Sequence, residues 1–406
     1  MKNNINLAFI LILLTMMSTY LRAQNIVISL QEAIEISKQN YPSMEAAQWN
    51  IEKQKAFKKV AVDLGRTGIF TGNEEYNKEF DGIQTVIGFR QEEIDVFSIP
   101  AKTKMAKSGT ELAISERNMK MATLIRDVTI AYNKVVVLKQ TYLLFQSLDT
   151  LYADFLRAAE LRYNTQATSR LEYLSASAKQ KEILVNLRRV ESNLAGSYAI
   201  LNQYLSIEER FDVDQAEAIS YAIVSENNIV DTLSHNPLLE YYTNAIDFSM
   251  NSIKVNKAGF LPKIDLMYGI QKVEGVSGYN TFQAGISLPL LFFSQNGKNK
   301  VAYADYQIVS KERDQAALEI NAIYLEKLSY LSALEDVLEY YLNEALPLSN
   351  EQIEAARLGY KLGSIDYIQF IQNIETAINT KREFLKQQGE FLDISAEIKY
   401  LTGIYP

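Results

Sequence analysis

The sequence predicts a mainly α-helical fold with a small β part, built as two halves of the same design. Glycine and proline, the two strongest helix breakers, are absent between Gly109 and Gly196, which favours long uninterrupted helices there. Eleven of the 17 glycines fall instead in the windows 65–88 and 259–297. These windows interrupt the helical pattern once in each half, and they are where strands are expected.

The long segments carry apolar residues at steps of three and four, which places them on one face of a helix. In the first half these residues are Met121, Leu124, Val128, Ala131, Val135, Leu138, Tyr142 and Phe145. In the second half they are Leu331, Leu334, Leu338, Tyr341, Ala345 and Leu348. A helix of about sixty residues is about 90 Å long. Such a helix must bury its apolar face against other long helices.

The glycine-rich windows predict two strand pairs. The expected strands lie at about 67–76, 83–92, 264–273 and 281–290. The third shows the pattern best, because polar or small residues separate Ile264, Leu266, Tyr268 and Ile270. Period-two alternation over about ten residues is typical of a half-buried strand and fits a strand of a membrane barrel. A soluble two-stranded hairpin is the alternative.

Landmarks of the two halves recur at a nearly constant offset, which indicates a tandem duplication. Gly88 and Gly285 are 197 residues apart, and so are Tyr163 and Tyr360. Each half is predicted to run helix, strand pair, long helix, turn, helix. The expected bounds are 1–23 for a signal peptide, 24–208 for the first repeat, 209–231 for a linker and 232–406 for the second repeat.

The first 23 residues have the pattern of an export signal. Lys2 is followed by a nearly apolar run from Ile5 to Met17, and cleavage is expected after Ala23. An uncleaved anchor is the alternative. No later stretch approaches the twenty apolar residues that a spanning helix needs.

Composition excludes several classes of function. The chain has no cysteine and a single histidine, His235, so thiolate sites and clustered histidine ligation are excluded. The net charge is −8 and the basic residues are scattered, which argues against a nucleic-acid partner. No catalytic constellation is evident, and we expect neither an enzyme nor a cofactor or metal site.

Four strands per chain predict an assembly. A four-stranded sheet in lipid has two unpaired edges that hydrocarbon cannot satisfy. Three copies would give twelve strands, an even number in the usual range for membrane barrels. The expected architecture is therefore a trimeric α-barrel joined to a 12-stranded transmembrane β-barrel, with four strands from each chain.

These features resemble the TolC-like outer-membrane efflux protein family over most of the chain. The motifs that carry the resemblance are Ser29-Leu30-Gln31-Glu32-Ala33, Asn40-Tyr41-Pro42, Ala258-Gly259-Phe260-Leu261-Pro262, Ile286-Ser287-Leu288-Pro289-Leu290 and Lys399-Tyr400-Leu401-Thr402-Gly403. The resemblance implies a homotrimer in outer-membrane lipid, with a helical barrel that extends into the periplasm. It also implies a periplasmic adaptor and an inner-membrane pump, with substrate passing through the channel passively.

Further segments look like those of members paired with heavy-metal pumps of the resistance-nodulation-division (RND) type. They are Glu32-Ala33-Ile34, Phe97-Ser98-Ile99-Pro100 and the stretch from Tyr152 to Tyr163. Two alternatives remain open at this point. One is a channel for protein secretion driven by an ABC transporter, and the other is a soluble periplasmic coiled-coil scaffold.

The resemblance also implies a gate just after the second hairpin turn, where the family carries an acidic pair three residues apart. In this sequence the matching positions are Gln369 and Gln372, which have no charge, and Asp366 is a partial substitute. The family's gate tyrosine matches Tyr360, whereas its basic partner matches Ile365, so that latch is expected to be missing. The alternative is that the two glutamines are ordinary solvated helix residues.

The two hairpin turns are the candidate contacts for the adaptor. They consist of Thr165, Gln166 and Ala167 in the first half and Leu362, Gly363 and Ser364 in the second. Gly363 suits a tight turn with positive φ, and Gln166 stands at the matching place in the first half.

Overall fold

The computed structural model of the chain describes residues 26–74, 84–214, 233, 235–273, 276–289 and 292–404. The predicted signal peptide, 1–23, lies outside the described residues. So do residues 215–231 of the predicted linker.

The first half contains two short helices, a strand pair and two long helices. In chain order its elements are β1 (Ile26–Ile28), α1 (Leu30–Asn40), α2 (Pro42–Val60), β2 (Arg66–Glu74), β3 (Gln84–Ile94), α3 (Ile99–Asn164), α4 (Arg170–Leu205) and β4 (Phe211–Val213). Helix α3 has 66 residues and is therefore about 100 Å long. Strand β4 pairs in parallel with β1, so the segment predicted as a linker begins with a strand.

The described part of the second half repeats the order of the first from α2 to α4. Its elements are α5 (Pro237–Ala258), β5 (Lys263–Val273), β6 (Val276–Ser287), α6 (Phe293–Tyr340), a π-helical turn (Tyr341–Ala345), α7 (Leu346–Leu362) and α8 (Tyr367–Thr402). The π-helical turn ends two residues before Pro347, whose ring nitrogen cannot donate the usual helical hydrogen bond. Helices α6 and α7 thus take the place that α3 has in the first half.

One hydrogen bond recurs in both halves, as a tandem duplication predicts. The side-chain amide of Asn40 donates to the Leu205 carbonyl at 3.1 Å, and that of Asn236 donates to the Leu401 carbonyl at 2.8 Å. Both pairs are separated by 165 residues along the chain. Each bond ties the start of its repeat to the end of that repeat's last helix.

The strand pairs of the two halves join in one antiparallel sheet with the order β2-β3-β5-β6. Strands β3 and β5 meet where Gly88 faces Gly269. A Cβ at Gly88 would lie 2.2 Å from the carbonyl oxygen of Tyr268, so this close approach requires glycine. The central contact of the sheet therefore connects the two repeats.

The fourth strand begins at Val276, not near 281 as predicted, and ends at Ser287, before 290. Its first residues lack apolar alternation, yet their backbone pairs with β5, as Tyr279 does with Gln271. Pro289 follows the strand and has no N–H to donate to a ladder. Backbone pairing rather than side-chain pattern thus sets both ends.

One face of the sheet presents an apolar row across all four strands. Ile69 pairs with Phe89, Phe89 with Tyr268, and Tyr268 with Phe282. The exposed fractions of Ile69, Phe89 and Phe282 are 86%, 53% and 71%. A soluble surface rarely leaves such a contiguous row uncovered.

The helical body is held by three apolar clusters. One joins α1, α3 and α4 near β1 and β4, a second joins α6 and α8, and a third joins α3, α4, α7 and α8 at the end farthest along these helices from the sheet. Within the described ranges, none of the helices combines the length and the apolar content that crossing a membrane requires.

Candidate gate at the helical hairpin tips

Two helical hairpins end side by side, one formed by α3 and α4 and the other by α7 and α8. Their turns have the same construction. Gln166 and Gly363, 197 residues apart, are both left-handed, with φ of 59° and 74°. The side chains of Ser169 and Asp366 then accept hydrogen bonds from the first turns of α4 and α8. The duplicated sequence therefore gives two tips of matching geometry, although only the second has glycine at the left-handed position.

Tyr360 lies inside the contact between the two hairpins. It is only 6% exposed, and its ring centroid lies 5.1 Å from that of Phe155 and 5.0 Å from that of Phe370. Its hydroxyl donates a hydrogen bond to the carboxylate of Glu172 on α4. Burial, and then this hydrogen bond, raises the pKa of Tyr360 well above its usual value. The hydroxyl therefore remains protonated and keeps donating across the hairpin contact.

A basic partner for Tyr360 does exist, and it comes from the other hairpin. The guanidinium of Arg162 lies over the Tyr360 ring, 5.1 Å from its centroid, and 3.9 Å from the Glu172 carboxylate. Ile365 still offers no basic group, so the latch expected to be missing at that position stays a prediction. The contact seen here is a different one, in which Arg162 and Glu172 approach Tyr360 from the first hairpin.

Sequence analysis missed Glu172, although the duplication offered a signal. Glu172 and Gln369 are 197 residues apart, and each is the third residue after a helix cap, Ser169 in one case and Asp366 in the other. The acid that the second repeat lacks at this position is present in the first. Glu172 also accepts a hydrogen bond from the hydroxyl of Thr168.

The remaining predicted gate residues lie on the first turns of α8. Asp366 accepts from the backbone N–H of Gln369 at 2.8 Å, and the Gln369 side chain accepts from the backbone N–H of Asp366 at 3.2 Å. This reciprocal capping box occupies both side chains. Gln372 is one turn further along and is exposed on the single chain. The structure brings Asp366 and Gln369 together, and it places Tyr360 apart from them in the hairpin contact.

The six predicted adaptor contacts, at the two turns, are all exposed. Large apolar side chains lie at or beside these turns on both hairpins, with exposed fractions between 57% and 72%. They are Leu362 itself and its neighbours Leu161, Leu171, Leu358 and Ile368. The two tips together therefore present an apolar rim.

A groove of about 1280 Å³ leads from this rim along the body between α3 and α7. Its walls include Leu148 and Phe155 on α3 and Leu358 on α7. Lys381 of α8 lines it further from the tips, and burial lowers the pKa of that lysine. The groove thus combines apolar walls with charged side chains, which include Asp154, Arg162, Glu354, Arg357 and Lys361.

No group of three or more histidine, aspartate or glutamate side chains is placed to hold a metal ion in the described part of the chain.

Residues 228–403 match the family model described as outer membrane efflux protein. None of the curated proteins compared matches the chain in sequence.

Solved outer-membrane channels share the fold over nearly the whole chain. CusC is 13% identical, with a TM-score of 0.77 and coverage of 93% of each chain. VceC of Vibrio cholerae is 15% identical, with a TM-score of 0.71, 92% of this chain covered and 96% of VceC. The CmeC channel of Campylobacter jejuni is 12% identical, with a TM-score of 0.74 and coverage of 92% and 85%. The chain therefore has the fold of these outer-membrane channels, and its second half matches the outer membrane efflux protein model.

Proposed function

We propose that three copies of this chain form a passive duct through the outer membrane, by which an inner-membrane pump expels its substrate. The observation that carries the proposal is the apolar row across the four-stranded sheet, at one end of helices about 100 Å long. The row suits acyl chains of lipid, and the helices are long enough to reach through a periplasmic space. The chain itself performs no chemistry in this function.

The trimer follows from the edges of the sheet. Strands β2 and β6 are its outer strands, and each has one side that no other described strand of the chain pairs with. In hydrocarbon each unpaired backbone group costs several kcal/mol, about 4–8 kcal/mol by transfer to an apolar solvent. Pairing β6 of one copy with β2 of the next removes this penalty, and three copies close a barrel of twelve strands.

The hairpin tips form the gate in this proposal. The Tyr360–Glu172 hydrogen bond, with Arg162 over the ring, holds the second hairpin against the first. Separation of the hairpins would widen the periplasmic end of the duct. Because Gln369 and Gln372 carry no charge, the opening would lack the acidic ring of related channels, and cations would block it weakly.

The adaptor docks at the apolar rim and the groove between α3 and α7. A helical hairpin with an apolar stripe flanked by charged residues fits such a groove, because the groove wall carries both apolar and charged side chains. The six turn residues lie at its open end. The pump behind the adaptor is of the RND type or an ABC transporter.

The substrate is proposed only by class. Heavy-metal ions are one candidate, supported by the sequence segments shared with members that serve heavy-metal pumps. Secreted protein is the second, since a wide duct of this kind does not depend on the nature of its cargo. A soluble coiled-coil scaffold is the third possibility for the chain, and the apolar row on the sheet argues against it.

Extraction and particle mass test the duct directly. The protein should leave the outer-membrane fraction only with detergent, and the particle should have three times the mass of one chain. Reconstituted in a planar bilayer, it should conduct ions. A monomer released without detergent would refute the barrel and support the scaffold.

The gate is tested by removal of one hydroxyl. Tyr360→Phe keeps the ring packed but removes the hydrogen bond to Glu172, so we expect higher single-channel conductance or more frequent opening. Tyr163→Phe is the matched control at the duplicated position, where the ring stacks on Tyr173 at 5.7 Å. If both variants conduct like the unmodified protein, the Tyr360 hydroxyl does not hold the gate.

A further inference from the structure

A second cross-hairpin contact lies beyond the Tyr360 site. Lys179 of α4 places its ammonium 2.7 Å from Glu375 of α8 and 3.0 Å from Glu182 on its own helix. The Lys179 side chain is only 21% exposed. Burial by itself would lower the pKa of Lys179, but the hydrogen bonds to Glu375 and Glu182 outweigh burial and raise it. The lysine therefore stays charged and bridges the two hairpins.

A buried hydroxyl beside this bridge has no hydrogen-bond partner among the described residues. Tyr152 of α3 is completely buried, and its hydroxyl makes no hydrogen bond with any described residue. Burial, followed by the charges of Glu375 and Glu182, raises its pKa. Both carboxylates bond Lys179 instead of Tyr152. The docked hairpins thus contain one favourable charge contact and, close to it, one unsatisfied polar group.

The two features act in opposite directions on the hairpin contact. An unpaired buried hydroxyl destabilises the arrangement that buries it, because water would bond it once the hairpins part. A partly buried lysine between two carboxylates stabilises the docked arrangement, since separation removes one of its two partners. These two contributions partly cancel, and their difference adds to the Tyr360–Glu172 hydrogen bond and the apolar cluster between the hairpins.

We propose that Tyr152 and Lys179 form a balanced joint that keeps the docked and separated hairpins close in free energy. Lys179 with Glu375 favours the docked form, and the Tyr152 hydroxyl favours the separated form. The joint lets a partner at the tips shift the equilibrium with a modest difference in affinity. Its role in opening the duct rests on the function proposed above, whereas the equilibrium itself does not.

The absence of cysteine allows a direct test. Gln166→Cys and Ser364→Cys, both at exposed tips, would carry spin labels on the two hairpins of the assembled protein, diluted with unlabelled chains. Pulsed electron paramagnetic resonance then gives the populations of short and long distances between the two labels. Lys179→Met should raise the ratio of separated to docked hairpins about tenfold, the effect of roughly one charged hydrogen bond. Adding Tyr152→Phe to that variant should reverse most of the change.

Two control variants test whether the changes come from the charge pair and the buried hydroxyl, and not from substitution in general. The double exchange Lys179→Glu with Glu375→Lys again places a lysine beside two carboxylates and should restore the original distances. Tyr330→Phe removes an exposed hydroxyl that bonds Glu390 away from the joint, and it should change nothing.

The outcomes distinguish a failure of the proposed joint from a failure of the proposed duct. The joint is overturned if Tyr152→Phe leaves the distances of the Lys179→Met protein unchanged or lengthens them, or if the charge exchange fails to restore them. A protein whose distances respond as expected but which conducts no ions would keep the joint and refute the duct.

Discussion

The buried amide of Asn236 should contribute more to stability than any other helix cap at the repeat junction. Its carbonyl oxygen accepts hydrogen bonds from the backbone of Leu238 at 2.9 Å and Leu239 at 3.3 Å. Its amide nitrogen donates to the buried carbonyl of Leu401 at 2.8 Å. The residue is 1% exposed, so water cannot replace any of these bonds. Asn236→Ala removes all three at once.

The expected loss follows from two contributions. Loss of an N-cap costs about 1 kcal/mol. A buried carbonyl left without a donor costs about 1–3 kcal/mol more. Asn236→Ala should therefore destabilise the protein by about 2–4 kcal/mol.

The duplication supplies a matched control. Asn40 makes the same bond to Leu205 at 3.1 Å in the first repeat, but it is exposed and caps no helix by its side chain. Asn40→Ala should cost about 0.5–1.5 kcal/mol, since water can reach the site. Thermal unfolding of the detergent-solubilised protein, followed by helical circular dichroism, compares the two. Equal shifts in melting temperature would refute the reasoning from burial.

Three further predictions concern pH, the turns and the pore. Burial, and then neighbouring carboxylates of α8, raise the pKa of Asp393 to about 6. Because an unfolded aspartate titrates near 3.9, the stability of the protein should fall as pH rises from about 4 to about 6. Asp393→Asn should abolish this fall and stabilise the protein at pH 7.5 by about 1 kcal/mol, allowing for solvent screening. Melting curves at several pH values would measure both effects. Gly363→Ala should lower stability by about 1 kcal/mol and Gln166→Gly should raise it by a similar amount, because both positions have left-handed backbone. Proteolysis at the turn should be faster in the first variant and slower in the second. Gln369→Ala with Gln372→Ala should raise single-channel conductance, and an unchanged value in planar bilayers would remove both residues from the gate.

The candidate site illustrates how far local sequence patterns reach. Tyr360 and the turn around Gly363 were predictable, because the turn has a local signature and the tyrosine belongs to a motif. Glu172 was not predicted, since it lies 188 residues from Tyr360 and meets it only when the hairpins pack side by side. Asp366 and Gln369 were predicted as pore residues, and whether they act there remains a prediction. Their capping box adds a local role that the spacing of an acid and a glutamine three residues apart already indicated.

The sequence by itself determined the helices, the alternating strand β5 and the duplication. Each of these depends on periodicity or on repeated landmarks within one stretch of chain. Only the tertiary structure decided that β3 pairs with β5, that β6 begins at Val276 and that Arg162 and Glu172 reach Tyr360. The physical reason is the same for all three. Backbone pairing and contacts between distant helices depend on which segments the fold brings together, and side-chain periodicity carries no information about that choice.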